Sequence, residues 1–157
     1  MEADDNYLDE AFNEAFHSVR NNVGGPFGAV VVFDGKVIGK GGNSVVSTND
    51  PTAHAEIMAI RDACRNLGNF DLTGAVIYTT CEPCPMCLSA IYWSNIRKVF
   101  YSLTRTDAAS IGFRDNHIYE ELSLLPGERK TKFVHVPHPL AGDLFREWTE
   151  KTDKTPY

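Results

Sequence analysis

The chain has 157 residues, 43% hydrophobic and 11% aromatic, enough to bury an independent core and too apolar for a disordered segment. A formal charge of −6 and a pI near 5.3 argue against a nucleic-acid partner, because phosphate binding needs clustered Lys and Arg. Met1 to Asn6 is acidic with no apolar h-region, and no apolar run approaches a membrane span, so neither a signal peptide nor a membrane partner is expected.

Leu8, Phe12, Ala15, Phe16 and Val19 recur at helical spacing and predict an amphipathic first helix, closed by Asn and Gly near Asn21 to Gly25. Two β-rich runs follow, Phe27 to Phe33 and Lys36 to Lys40. Asp34-Gly35 between them is a hairpin signal. Gly41 to Asn49, rich in Gly, Ser, Asn and Thr, reads as a loop skirting a functional surface.

Asp50-Pro51-Thr52 supplies turn and cap chemistry ahead of a second helix that Gly68 stops after Leu67. Ala75 to Thr79 reads as a buried strand. Pro85 opens a third helix reaching about Trp93. Lys98 to Ser102 is a fourth strand, and short helices are expected over Asp107 to Ile111 and Asn116 to Leu122. Phe133 to Val136 reads as a fifth strand and Ala141 to Thr152 as a last amphipathic helix. Helices alternating with strands after a hairpin imply a single α/β domain: a mixed five-stranded sheet covered on both faces, three α/β/α layers.

The chemistry concentrates in two short runs, His54-Ala55-Glu56 and Pro83-Cys84-Pro85-Met86-Cys87. One imidazole and two thiolates fill three positions of a zinc tetrahedron, and three protein ligands mark a catalytic site that keeps its fourth place for water. Cys84 and Cys87, three apart at a helix start, share a face, and the positive helix end favours thiolates. Glu56 stands two residues from the imidazole, near enough to carry protons without ligating. Cys81 is the alternative: as a fourth ligand it would make a structural Cys3His cage, and the chain a zinc-stabilised binding module. Four cysteines, three of them clustered beside a His, read as metal chemistry in a reducing compartment, hence the cytoplasm. Cys64 reads as a small packed hydrophobe in the second helix.

His-x-Glu followed by Pro-Cys-x-x-Cys is the signature of zinc-dependent nucleobase deaminases, and the chain resembles the cytidine deaminase-like superfamily. Within it, the runs from Gly24 to Ala29, Asn49 to Glu56 and Cys81 to Cys87 are similar to the bacterial guanine deaminases. Ala90 to Trp93, Thr106 to Ala109 and Ile111 to Phe113 extend the likeness, which reaches Tyr157.

The resemblance implies one Zn2+ per subunit on His54, Cys84 and Cys87, Glu56 as proton carrier, and a purine base as substrate. It implies a base-binding set of Asn43, Phe27, Ala55, Trp93, Asp115 and Tyr157. Asn43 brings an amide to the heterocycle edge or serves as a turn residue after Gly41-Gly42, Phe27 packs on the ring or in the core, and Trp93 walls the pocket or, as is more usual for an aromatic at a helix end, packs as core. Asp115 either accepts the hydrogens that guanine displays or is a solvated loop residue. Arg114 departs from the family pattern, where an acidic neighbour is expected. Asp107 reads equally as a helix cap. The resemblance further implies a homodimer in which the segment from about 138 to 157 is exchanged and Tyr157 closes the partner's site. The same zinc apparatus would also serve guanosine, cytosine or adenosine in tRNA.

Overall fold

The computed structural model of the chain describes residues 4–156, so Tyr157 lies outside the described residues. The chain divides into two compact units, Met1–Ile118 and Tyr119–Tyr157.

In the first unit, helix α1 (Asp5–Arg20) is capped by Asp4, whose carboxylate accepts the Asn6 N–H at 3.0 Å. Strands β1 (Gly28–Phe33) and β2 (Lys36–Gly42) form the expected hairpin. Asp34 and Gly35 both take positive φ, 48° and 70°, as a two-residue turn matching the strand twist requires. β2 runs two residues beyond the expected end, and the loop after it contains a short helix, α2 (Val45–Thr48).

β1 also pairs antiparallel with β3 (Val76–Cys81), and β3 pairs in parallel with β4 (Lys98–Leu103). The mixed sheet has the order β2-β1-β3-β4. Along β1, side chains alternate between two cores. Ala29 and Val31 join Ala55, Ala59 and Ala63 of α3 (Ala55–Leu67) and Ile91 of α4 (Pro85–Trp93). Val30 and Val32 join Ala11 of α1, with Val76 and Tyr78 of β3. Helices therefore cover both faces, the expected three layers. β3 is buried throughout, as a strand covered on both sides must be.

α3 lies close on β2. A Cβ on Gly41 would fall 2.5 Å from the Ala55 carbonyl and the Ala59 nitrogen, so only glycine admits the first turn of α3 there. Its cap differs from expectation. His54 holds the N-cap position, and Asp50 instead folds a local turn by accepting the Thr52 N–H and hydroxyl at 2.8 and 2.7 Å. Gly68, at φ 64°, ends the helix as expected. After β4 come α5 (Arg105–Ser110) and α6 (Asn116–Ser123). Asp107 does cap: it and Thr104 form a reciprocal box at the start of α5.

The second unit holds the end of α6, a 3-10 turn at Pro126–Glu128 and α7 (Ala141–Glu150). The Arg129 Nε donates to the carbonyls of Glu121 and Leu124, tying the turn to α6. Among the described residues the sheet has four strands, not five: Phe133 to Val136 forms no strand and its apolar side chains are exposed. A strand exists only through its ladder, and alternating apolar residues record the capacity without supplying the neighbour. No helix among the described residues is long and apolar enough to cross a membrane.

Candidate active site

Two helix starts converge beside the carboxyl ends of the parallel strands β3 and β4, where α/β sheets place their sites. His54 is the N-cap of α3 and Cys84 the N-cap of α4, with Pro85 in the first turn and Cys87 just behind it. Neither N-cap side chain makes a capping hydrogen bond to its helix. Both turn toward each other: His54 Nδ1 lies 3.5 Å from Cys84 Sγ and 3.6 Å from Cys87 Sγ.

Those separations fit zinc. With Zn–N near 2.05 Å and Zn–S near 2.3 Å, the N···S edge of a tetrahedron is about 3.5 Å. Among the described residues, His54, Cys84 and Cys87 are the group whose ligand atoms all lie within 4.8 Å of one another, and they are positioned to bind one metal ion. Cys81 is not in the group. Its thiol points to the Thr104 carbonyl at 3.4 Å, and burial pushes it up to about 11. The four-ligand cage fails on that geometry.

Charge follows from contacts. Cys84 is drawn down to about 4, chiefly by its hydrogen bond with Cys87, with a smaller share from His54. The same bond, together with burial, drives Cys87 up. The pair thus holds one proton between two sulfurs, and a cation must displace it. The Cys84 contact also raises His54. Glu56, in the first turn of α3, is only 6% exposed, and burial lifts its carboxyl to about 7.

A cavity of about 250 Å³ opens beside the trio, lined by His54, Glu56 and Cys84 with Phe27, Phe113 and Asp115. Phe27 and Phe113 meet edge to face, centroids 4.8 Å apart at 89°. Arg105, Arg114, Glu82, Cys81, Ala108 and Ile118 complete the wall. Among the described residues no ion pair joins Arg114 to Asp115.

The expected site residues are therefore partly gathered. Phe27, His54, Glu56, Cys84 and Asp115 share the cavity, and Cys87 joins the metal group. Asn43 is 5% exposed beside it, bonded through its backbone N–H to the Phe27 carbonyl at 2.9 Å. Ala55 does not line the cavity: its methyl is buried in the core between α3 and the sheet. Trp93 does not wall it either. It stands 71% exposed at the end of α4, because Ile91 takes the inward face there. Sequence reading missed Phe113, Glu82, Arg105 and Ala108 as wall residues. For Glu82 and Arg105, the position just after the ends of β3 and β4 was the available signal.

Comparison with known proteins agrees with this geometry. Residues 1–103 match the family described as the cytidine and deoxycytidylate deaminase zinc-binding region. The guanine deaminase of Bacillus subtilis strain 168 is 46% identical over 151 residues, 96% of this chain and 97% of that protein. The X-ray structure of a Bacillus subtilis guanine deaminase superposes with a TM-score of 0.95 at 44% identity, covering 99% of each chain. A tRNA-specific adenosine deaminase of Aquifex aeolicus is 38% identical over 126 residues, 80% of this chain and 81% of that protein. With well over half its length matched and its zinc ligands drawn together at two helix starts, the chain belongs to the cytidine and deoxycytidylate deaminase zinc-binding family.

Proposed function

We propose that the chain is a zinc-dependent guanine deaminase, converting guanine and water to xanthine and ammonia. The observation that carries this reading is the meeting of Asp115, an acceptor-only carboxylate, with His54, Glu56 and Cys84 in one base-sized cavity. End-to-end similarity to the Bacillus subtilis guanine deaminase supports it.

A zinc ion on His54, Cys84 and Cys87 supplies an acidified water, its pKa lowered toward about 7. Glu56, itself near 7, would carry both protons of that water in turn: the first to the ring nitrogen beside C2 as the oxygen bonds C2, and the second to the amine, which leaves as ammonia when the C2–N bond breaks. Phe27 and Phe113, which touch edge to face, together offer one aromatic wall to the ring. Asp115 accepts the N–H groups that guanine displays and that cytosine and adenine arrange differently, which leaves it unpaired with the wrong base. Asn43 donates from its amide nitrogen.

The whole chain acts as one deaminase domain in a homodimer, with the segment from about 138 to 157 exchanged between subunits. Two features support exchange. The outer edge of β4 pairs with no strand among the described residues and exposes Tyr101 and Leu103. Leu144, Phe145 and Trp148 of α7 are likewise exposed. Tyr157 then closes the partner's cavity, and Trp93 contributes only across that interface. The thiols must stay reduced to hold zinc, which supports a cytoplasmic location. The chain's acidity favours a free base over tRNA as substrate.

Incubation with guanine, guanosine, cytosine and adenine, following ammonia, tests the reading. Release from guanine alone is expected, and comparable release from cytosine or adenine overturns it. Sedimentation of the full chain and of a chain lacking Tyr157 tests the dimer. Truncation should leave association intact while guanine turnover falls.

A further inference from the structure

The zinc half of the site and the base-recognition half lie on different segments, and besides the Cys81 thiol on the Thr104 carbonyl at 3.4 Å, the Glu82 carboxylate ties them together. Glu82, two residues before Cys84, donates its backbone N–H to the Leu103 carbonyl at 2.8 Å, one residue past the paired end of β3 at Cys81. Its carboxylate then accepts the Arg105 backbone N–H at 3.1 Å, the first amide of α5. Carboxylates at helix starts are favoured by the orphan N–H groups and the dipole there. α5 ends in the turn that carries Phe113 and Asp115, with the Phe113 N–H donating to the Ala108 carbonyl at 3.1 Å. Glu82 is thus bound by backbone to the segment of one metal ligand and by side chain to the element that presents the recognition wall.

We propose that Glu82 is a positioning residue that sets the distance between the zinc centre and the wall of Phe113 and Asp115, and so determines affinity for the base. The inference rests on the deaminase reading, but its effect falls on binding rather than on chemistry. Loss of the carboxylate frees the start of α5 while leaving His54, Cys84, Cys87 and Glu56 as they are. The far end of the same start is held by Thr104, whose hydroxyl accepts the Asp107 N–H at 3.3 Å. Thr104 is an independent handle on the same motion.

The experiment compares Glu82→Ala, Glu82→Gln and Thr104→Ala with the wild-type chain. Each is measured for zinc content, KM and kcat with guanine, and amide exchange over residues 105–113. Glu82→Ala should raise KM about tenfold with kcat within about threefold, the pattern of lost binding rather than lost chemistry. Zinc should stay at one per chain and exchange over 105–113 should quicken. Glu82→Gln, whose side-chain oxygen still accepts the Arg105 N–H, should recover most of the affinity. Thr104→Ala should shift KM the same way by a smaller factor, and it stands in if Glu82→Ala does not fold. Unchanged KM in these variants, or zinc lost in step with activity, overturns the proposal. Calorimetric affinity for whichever base the wild-type chain binds gives the same comparison if guanine is not turned over, so the two failures remain distinct.

Discussion

Asn43 accepts the Gly25 backbone N–H through Oδ1 at 3.1 Å, and the Val45 N–H reaches the same oxygen at 3.3 Å. Two donors on one oxygen fix the amide's orientation, since a flipped amide would set its NH2 against both. The acceptor is therefore spent, and only Nδ2 is left to meet a ligand. Gly24 makes room for this: a Cβ there would collide with Asn43 Oδ1 and its carbonyl.

Asn43→Asp should keep both backbone bonds through one carboxylate oxygen while replacing the outward donor with an acceptor. kcat/KM for guanine should fall about 100-fold or more, because the base then faces an acceptor where it had a donor. Zinc content should not change. Steady-state kinetics beside metal analysis reads both, and a variant that keeps guanine turnover refutes the assigned polarity.

Glu56→Gln should bind zinc normally and lose activity by roughly a thousandfold or more, since both proton transfers pass through this carboxyl. The amide keeps the shape and the buried contacts, so thermal stability should hold or rise slightly with the removal of a buried ionisable group. Residual activity within tenfold of wild type would point to another proton carrier.

Much of this site was legible in the sequence. His54, Cys84 and Cys87 were readable because metal geometry restricts spacing, and a ligand at a helix start is visible through its Pro and turn signals. Asp34-Gly35 was readable because few residues tolerate its two positive φ angles. Trp93 was misplaced because its direction depends on how α4 rotates against the core, which Ile91 decides through packing. Glu82 and Arg105 lie far apart in sequence, and only the parallel register of Cys81 with Leu103 brings them together. Phe133 to Val136 shows the same limit from the other side, a strand-forming sequence without a strand beside it.

Chelation should abolish guanine turnover, and added zinc should restore it at one equivalent per chain. Cys84, near 4, is already a thiolate at neutral pH, whereas Cys87 is protonated and must release its proton as the metal enters. Zinc affinity should therefore rise about tenfold per pH unit on the alkaline side of His54's titration, one proton being released per ion bound. Competition against a chromogenic chelator across that range measures the slope. A flat profile would mean that Cys87 is not the proton donor.

Asp115→Ala should weaken guanine turnover selectively, by about 10- to 100-fold in kcat/KM, the value of one or two charge-assisted bonds. Zinc content and stability should be near wild type, because Asp115 is only partly buried and its carbonyl bond to the Ile118 N–H is made by backbone. Arg114→Ala separates the neighbour's influence. With no ion pair between the two side chains, it should change guanine kinetics far less than Asp115→Ala does.

Asp107 gives the fold an acid-side signature. Hydrogen bonds from the Thr104 hydroxyl and backbone N–H, at 2.7 and 2.8 Å, hold its carboxyl below the ordinary 3.8. A depressed folded value means that the carboxylate's contribution is complete above the unfolded value and disappears as pH falls through the folded one. Asp107→Asn retains an acceptor for the same donors but cannot titrate. At neutral pH the variant should melt slightly lower, by about 1–2 °C, because the site is exposed and solvent screens the charge. Below about pH 4 the gap should close, since protonated Asp107 is then no better an acceptor than the amide. Melting curves of both chains from neutral to acid pH, run with zinc in excess, test the sign, and a gap that widens in acid would refute it.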